Sequence, residues 1–217
     1  VASLFNITVI LECITLLVAM VSLCQHTGVW QLLKPVMLFT ILVEVIGWNL
    51  SVRNNSSGNA WVFNINLLLN GAFSLWFFIF SDELAAFKRR ILVLVFAFLV
   101  FGFTNLFFFQ GLQRYNSATE IFLDLSCVVI SCLFFYRLVI NDSNKKIFQS
   151  EYFWYANGLL FYSLGAVVLY IFLDELLDYR KATGRNIYGY INYTLNALLY
   201  GSFIIAIICR NRNTRLL

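Results

Sequence analysis

Seven apolar runs, each close to the length needed to cross a bilayer, leave this chain little freedom to fold in any other way. They read as Leu4–Leu23, Val36–Leu50, Ala60–Phe80, Ile91–Phe109, Ile121–Tyr136, Phe153–Leu173 and Ile187–Cys209. A helix needs about 20 apolar residues to cross the hydrocarbon. The second and fifth runs are short as drawn and are expected to extend into their semi-polar flanks. The breaks between runs are brief and polar, as at Arg53-Asn54-Asn55-Ser56-Ser57-Gly58-Asn59. The expectation is therefore one all-α integral membrane domain over residues 1–217, a single bundle of about seven transmembrane helices. No separate soluble domain, long linker or repeat is visible. Of the 217 residues, 61% are hydrophobic and 12% charged, where soluble domains carry roughly 25% charged residues. Lipid can serve as solvent for surface that water would not tolerate. No cleavable signal is evident, and Val1 rather than Met opens the sequence, so the natural start is expected to be trimmed or to lie upstream.

The basic residues orient the bundle. Loops after spans two, four and six carry Arg53, Arg114, Arg180, Lys181 and Arg185. Loops after spans one, three and five, with the C-terminus, carry Lys34, Lys88, Arg89, Arg90, Arg137, Lys145, Lys146, Arg210, Arg212 and Arg215. Ten against five makes the second side cytoplasmic, because Lys and Arg concentrate inside. The N-terminus is then out and the C-terminus in. Trp61, Trp154, Tyr152 and Tyr188 fall near span ends and read as interfacial anchors.

Three acids, Glu12, Glu44 and Asp124, lie within the apolar runs, and no base lies with them. A carboxylate in hydrocarbon costs several kcal/mol, so such groups face the bundle interior, find partners or carry function. Small and polar residues recur with them at steps of three and four, which place residues on one helix face. Examples are Thr8-Glu12-Thr15-Ala19-Ser22, Thr40-Glu44-Gly47-Ser51, Asn66-Asn70-Ser74, Asp124-Cys127-Ser131, Gly158-Tyr162-Gly165 and Asn192-Asn196-Tyr200. Such stripes serve helix packing. Their depth suggests more. Glu12, Glu44 and Asn70 fall near the midplane; Asn49, Asn64, Asn66, Asn105, Asp124, Asn192 and Asn196 fall between there and the outer face. The inner halves are plainly apolar, as in Leu75–Phe80 and Phe203–Ile208. One-sided polarity predicts a pocket that faces outward and is closed on the cytoplasmic side. Glu12, Glu44, Asn70, Asp124, Asn192 and Asn196 are the candidate ligand-binding residues, and a small polar or cationic ligand suits them. A neutral hydrogen-bonded network that only fixes the helices is the competing reading.

What is missing narrows the chemistry. The single His26 cannot build a multi-His membrane zinc site or an intramembrane Ser-His pair. Span seven has no Lys for a retinal Schiff base. No phosphate-binding glycine loop, haem-attachment motif or metal-spaced cysteine cluster occurs, so no cofactor and no metal are expected. Cys13, Cys24, Cys127, Cys132 and Cys209 show no disulfide spacing. The clusters Lys88-Arg89-Arg90 and Arg210, Arg212, Arg215 set topology or touch anionic lipid head groups, and nothing suggests nucleic acid as a partner. No catalytic residue is assigned.

Several segments resemble a family of small seven-span proteins common in Bacteroidota. They are Glu44-Val45-Ile46-Gly47, Trp61-Val62-Phe63-Asn64, Phe153-Trp154 with Gly158-Leu159-Leu160-Phe161-Tyr162, and Ile191-Asn192-Tyr193-Thr194-Leu195-Asn196-Ala197-Leu198-Leu199-Tyr200 with Cys209. They touch spans two, three, six and seven. The resemblance implies a bacterial inner membrane and a sensory or signalling module more than an enzyme; as the sequence carries no signalling domain, a membrane or cytoplasmic partner protein would read the signal. Lys34-Pro35 at a span start is also similar to lysoplasmalogenase-like membrane hydrolases, but the Gly-Asp of that pattern is absent. The leading expectation is a receptor-like membrane module. A proton-coupled or small-solute transporter, an acid-dependent lipid hydrolase using Glu44 and Asp124, and a structural subunit of a membrane complex remain alternatives.

Overall fold

The computed structural model describes residues 2–24, 28–53, 59–141 and 147–215. Among them are eight α-helices and no strand: α1 Ala2–Ser22, α2 Leu33–Arg53, α3 Ala60–Phe77, α4 Lys88–Thr104, α5 Ser117–Ile140, α6 Glu151–Ile171, α7 Leu173–Thr183 and α8 Ile187–Arg215. A π-helical turn, Asn105–Phe109, continues α4. Six stretches are long and apolar enough to cross a membrane: Val29–Leu50, Ala60–Phe80, Asp82–Phe109, Ser117–Ile140, Glu151–Ile171 and Ile187–Asn213. α1 adds a shorter apolar stretch, Ile7–Ser22. The chain is an integral membrane protein of the helical-bundle class. His26, the break at 54–58 and the Lys145-Lys146 pair lie outside the described residues, as do the side chains of Ser51 and Arg215.

Most helices run past the apolar stretches that announce them, and two departures from the sequence reading have a clear local reason. Helix α5 starts at Ser117 rather than Ile121, because Asn116 caps it: its side chain accepts the Thr119 amide at 3.4 Å. A cap of this kind satisfies an amide that the first turn leaves without a partner. The helix start thereby takes in Glu120, which the apolar run excluded. The connection after α6 is itself the helix α7. Asp174 and Glu175 open it, Arg180 and Lys181 close it, and Gly184 ends it at φ 72°. Acids at the start and bases at the end complement the helix dipole, and glycine tolerates the left-handed C-terminal residue.

The helices form a ring. α1 packs on α2, α2 on α3, α3 on α5, α5 on α6, α6 on α8, and α8 returns to α1. α4 lies outside the ring against α3 and α5. Its outward face carries Phe96, Phe103 and Phe107, and Phe108 is 80% exposed. Apolar surface on that scale belongs against lipid. The closest helix pair, α6 and α8, meets at Gly158, where an added Cβ would lie 2.7 Å from Ser202 Cβ and 3.3 Å from the Leu199 carbonyl oxygen. Small residues let membrane helices approach this closely.

One end of the ring carries α7, the end of α2 and the α4–α5 connection. The other end carries the starts of α2 and α6, the α3–α4 connection and the last turns of α8, and side-chain ties bind it together. Lys34 and Gln31 both donate to the Leu23 carbonyl, at 3.0 and 2.6 Å. Arg210 pairs with Glu151 at 2.9 Å, and Asn213 donates to the same carboxyl. Above these ties sits an aromatic cluster. Trp30 meets Phe77 edge-on with centroids 4.9 Å apart, Phe77 meets Tyr155 at 4.5 Å, and Tyr155 stacks on Phe203 at 5.0 Å. The Tyr155 hydroxyl reaches across the ring to the Ser74 carbonyl at 3.3 Å. Tyr152, half-buried at the start of α6, joins Trp30 and Phe77 in this cluster.

Candidate functional site

A cavity of about 550 Å³ occupies the ring. It runs from the α7 end, where Tyr115, Tyr170, Leu173 and Tyr188 line it, down to Tyr155 and Phe203 of the aromatic cluster. Every ring helix contributes to its wall and α4 contributes nothing. All six candidate residues, Glu12, Glu44, Asn70, Asp124, Asn192 and Asn196, lie on that wall.

Each reaches the wall by helical spacing. Thr8 and Glu12 of α1 face the cavity one turn apart, as do Thr40 and Glu44 of α2, Asn66 and Asn70 of α3, and Asn192 and Asn196 of α8. The asparagines are held by their neighbours. Asn70 donates to Thr40 Oγ1 at 2.9 Å and to Asn66 Oδ1. Asn196 donates to the Asn192 carbonyl at 2.8 Å and to its Oδ1 at 3.1 Å.

The acids are different. Glu12 is buried and accepts the Tyr200 hydroxyl at 2.8 Å through one oxygen, while its Oε2 has no hydrogen-bond partner. Asp124 is buried too, and its Oδ2 has none. A buried polar atom without a partner costs about 1–3 kcal/mol. Two such oxygens in the packing beside one cavity are therefore costly.

Sequence reasoning missed two contributors. Glu120, one turn before Asp124 on α5, also lines the cavity and accepts the Tyr115 hydroxyl at 2.8 Å. Burial, reinforced by that carboxyl, pushes the Tyr115 phenol well above its ordinary value, so it remains a donor. The second contributor is tyrosine: Tyr162 and Tyr200 of the inward stripes are joined on the wall by Tyr115, Tyr155, Tyr170, Tyr188 and Tyr193. Tyr188, near the start of α8, is on this wall. The electrostatic neighbour of Glu12 is Glu44, and that of Asp124 is Glu120. The expected pairing of Glu44 with Asp124 instead spans two different walls, α2 and α5.

Three of the asparagines placed in the outer half do other work. Asn64 donates to the Arg114 carbonyl at 2.9 Å and accepts the Asn116 amide at 2.9 Å. Asn105 donates to Asn116 Oδ1 and to Gln110 Oε1. These bonds fasten the α4–α5 connection to α3. Asn49 donates to the Val45 carbonyl of its own helix at 2.8 Å. For these residues the network reading holds.

The chemistry of the wall is one-sided. Four carboxyl side chains face the cavity, and no Lys, Arg or His among the described residues does. The acids do not gather into a metal-sized group: among the described residues, no three His, Cys, Asp or Glu side chains come together as metal ligands would. What the wall offers is spaced carboxyl oxygens, amide and phenol oxygens, and aromatic faces. Organic cations are held by such groups, through hydrogen bonds to carboxylates and attraction to ring faces. The chain matches no family model, no curated protein and no solved structure.

Proposed function

We propose that this protein is a receptor-like membrane module that binds a small organic cation in the cavity of its helix ring. One observation carries the reading: Glu12, Glu44, Glu120 and Asp124 line one cavity to which the described residues bring no Lys, Arg or His. A cation among these carboxyl groups would offset the cost of burying their charge.

The topology belongs to the same proposal. α1 is taken as a seventh span, and the ten-to-five distribution of Lys and Arg puts the N-terminus outside and the C-terminus inside. The cavity then faces out through its α7 end, and the aromatic cluster around Trp30 closes it toward the cytoplasm. That closure favours a binding module over a conduit. Ligand contacts shared by all six ring helices provide a way to shift their packing, and a partner protein on the cytoplasmic side would read the shift. The resemblance to the small seven-span proteins of Bacteroidota suits a sensory role and a bacterial inner membrane.

The test is thermal unfolding of the detergent-purified protein in the presence of tetramethylammonium, primary amines, carboxylates and neutral polyols. Amines or ammonium ions should raise the unfolding temperature, and Glu44→Gln should weaken that response while leaving the fold intact. A response to carboxylates or polyols alone, or an amine response that Glu44→Gln leaves unchanged, contradicts the proposal.

A further inference from the structure

We infer that the corner between α4 and α5, at the end of the ring away from α7, binds an anionic phospholipid whose phosphate is held between Arg137 and the run Lys88-Arg89-Arg90. This corner lies outside the cavity, and the inference does not depend on what the cavity holds.

The basic residues at that end do two kinds of work. Lys34 donates to the Leu23 carbonyl, and Arg210 pairs with Glu151. Lys88, Arg89, Arg90 and Arg137 differ from these. Among the described residues, the ion pairs are Lys181–Asp178 and Arg210–Glu151, so none of the four meets a carboxylate. Asp82 and Glu83 open the tight helical turn Asp82–Phe87 just ahead of α4, yet they pair with none of them.

Helical spacing places Arg137. Thr119, Phe122, Ser126, Ile130, Leu133 and Arg137 follow steps of three and four along one face of α5. The first part of that face meets α4. Phe122 stacks on Phe101 with centroids 5.1 Å apart, and a Cβ added to Gly102 would lie 3.1 Å from Thr119 Cγ2. The two helices run in opposite directions, so the last part of the face comes to the start of α4, where α5 packs on the turn Asp82–Phe87. Arg137 therefore stands beside the turn that leads into Lys88. Its Nε is buried without a hydrogen-bond partner, although the residue as a whole is only partly buried. Lys88, Arg89 and Arg90 are exposed. Arg90 lies over the Phe87 ring, 5.3 Å from its centroid, a contact that leaves the N–H groups at the guanidinium edge free to donate.

The fold itself does not ask for bases here. A helix start is the positive end of the dipole, where acids stabilise and bases do not. No side chain caps α4, so its first amides add to the positive field. The retention of Lys and Arg on the cytoplasmic side accounts for Lys88-Arg89-Arg90, but not for a partnerless Arg137 at the same corner. A phosphate answers both. It accepts paired bonds from a guanidinium and attracts a lysine as a point charge. One to two turns further along α4, Leu92, Val93 and Phe96 are exposed and offer the acyl chains of the same lipid an apolar surface. A zwitterionic head group would bring its own cation against these bases, so the anionic class fits.

The experiment titrates delipidated protein in detergent with phosphatidylglycerol or phosphatidylcholine and counts bound lipids by native mass spectrometry. The first phosphatidylglycerol should bind at least about tenfold tighter than phosphatidylcholine. Arg137→Gln should lower phosphatidylglycerol binding about fivefold and leave phosphatidylcholine unchanged. Lys88→Gln/Arg89→Gln/Arg90→Gln should abolish the preference. Arg180→Gln/Lys181→Gln/Arg185→Gln removes the same charge at the α7 end and should leave the preference intact. The wild-type comparison and this control stand even where a variant at the corner fails to fold. Equal binding of the two lipids by the wild-type protein overturns the inference. So does a preference that the α7-end variant lowers as much as the corner variants do, because the attraction would then be general to the surface.

Discussion

The contact between Tyr200 and Glu12 allows the cost of the acid to be measured directly. The Tyr200 hydroxyl donates to Glu12 Oε1 at 2.8 Å, both residues are buried, and Glu12 Oε2 has no partner. Tyr200→Phe removes the donor and leaves the whole carboxyl unsatisfied, so the ligand-free protein should lose about 1–3 kcal/mol. Glu12→Met is close in volume. It relieves the partnerless oxygen but strands the tyrosine hydroxyl, so its net effect should be small, within about 1 kcal/mol. The double variant strands nothing. Replacing both members of a buried polar pair by apolar groups is often neutral or stabilising, so it should be at least as stable as wild type to within about 1 kcal/mol. The two substitutions should therefore couple by about 1–2 kcal/mol. The assay is equilibrium unfolding in mixed detergent micelles, followed by tryptophan fluorescence. The double variant should also lose its response to amines. A double variant that loses as much stability as the two single variants together refutes the reasoning, because Glu12 would then be holding the fold and not waiting for a ligand.

Other substitutions separate the wall of the cavity from its frame. Asn64→Ala removes two bonds to the α4–α5 connection and should cost about 1–3 kcal/mol, with no change in the stoichiometry of amine binding in a titration. Gly158→Ala pushes a methyl group to 2.7 Å from Ser202 Cβ and should cost about 1–3 kcal/mol by overpacking, read as a lower unfolding temperature. Arg210→Met leaves the mostly buried Glu151 with Asn213 alone at that carboxyl. Its cost should be about 1 kcal/mol, the partial exposure of the pair weakening its contribution, and unfolding of the variant should show less salt dependence than wild type. Reporter fusions at the C-terminus should be active only for reporters that work in the cytoplasm; activity of a periplasmic reporter there would invert the proposed topology.

The apolar runs located the long helices because lipid imposes one rule on every residue of a span. Faces were harder to read. Steps of three and four put Glu12, Glu44, Asn70, Asp124, Asn192 and Asn196 on stripes, and the structure puts those six residues around one cavity. The same steps could not say that Asn64 and Asn105 fasten a connection instead, since that depends on where Arg114 and Asn116 sit in space. Glu120 was lost to a boundary drawn by hydropathy alone. Asn116 three residues before Thr119, with an acid next, was a capping signal that would have recovered it. The α7 helix was legible in the same way, from Asp174 and Glu175 ahead of Arg180, Lys181 and Gly184. Tyr188 illustrates a deeper limit. A tyrosine near a span end suits the interface and suits a cavity mouth equally, and only the ring order shows that Tyr188 lines the cavity.

The most direct test of the central claim is native mass spectrometry of the protein extracted gently from its own membrane. A bound small molecule that carries an amine or ammonium group, and that is absent from the Glu12→Gln/Asp124→Asn double variant, is the result expected of a cation-binding cavity. A chain that flies free of small molecules, or carries only another protein, would contradict it and reduce the four acids to parts of the packing.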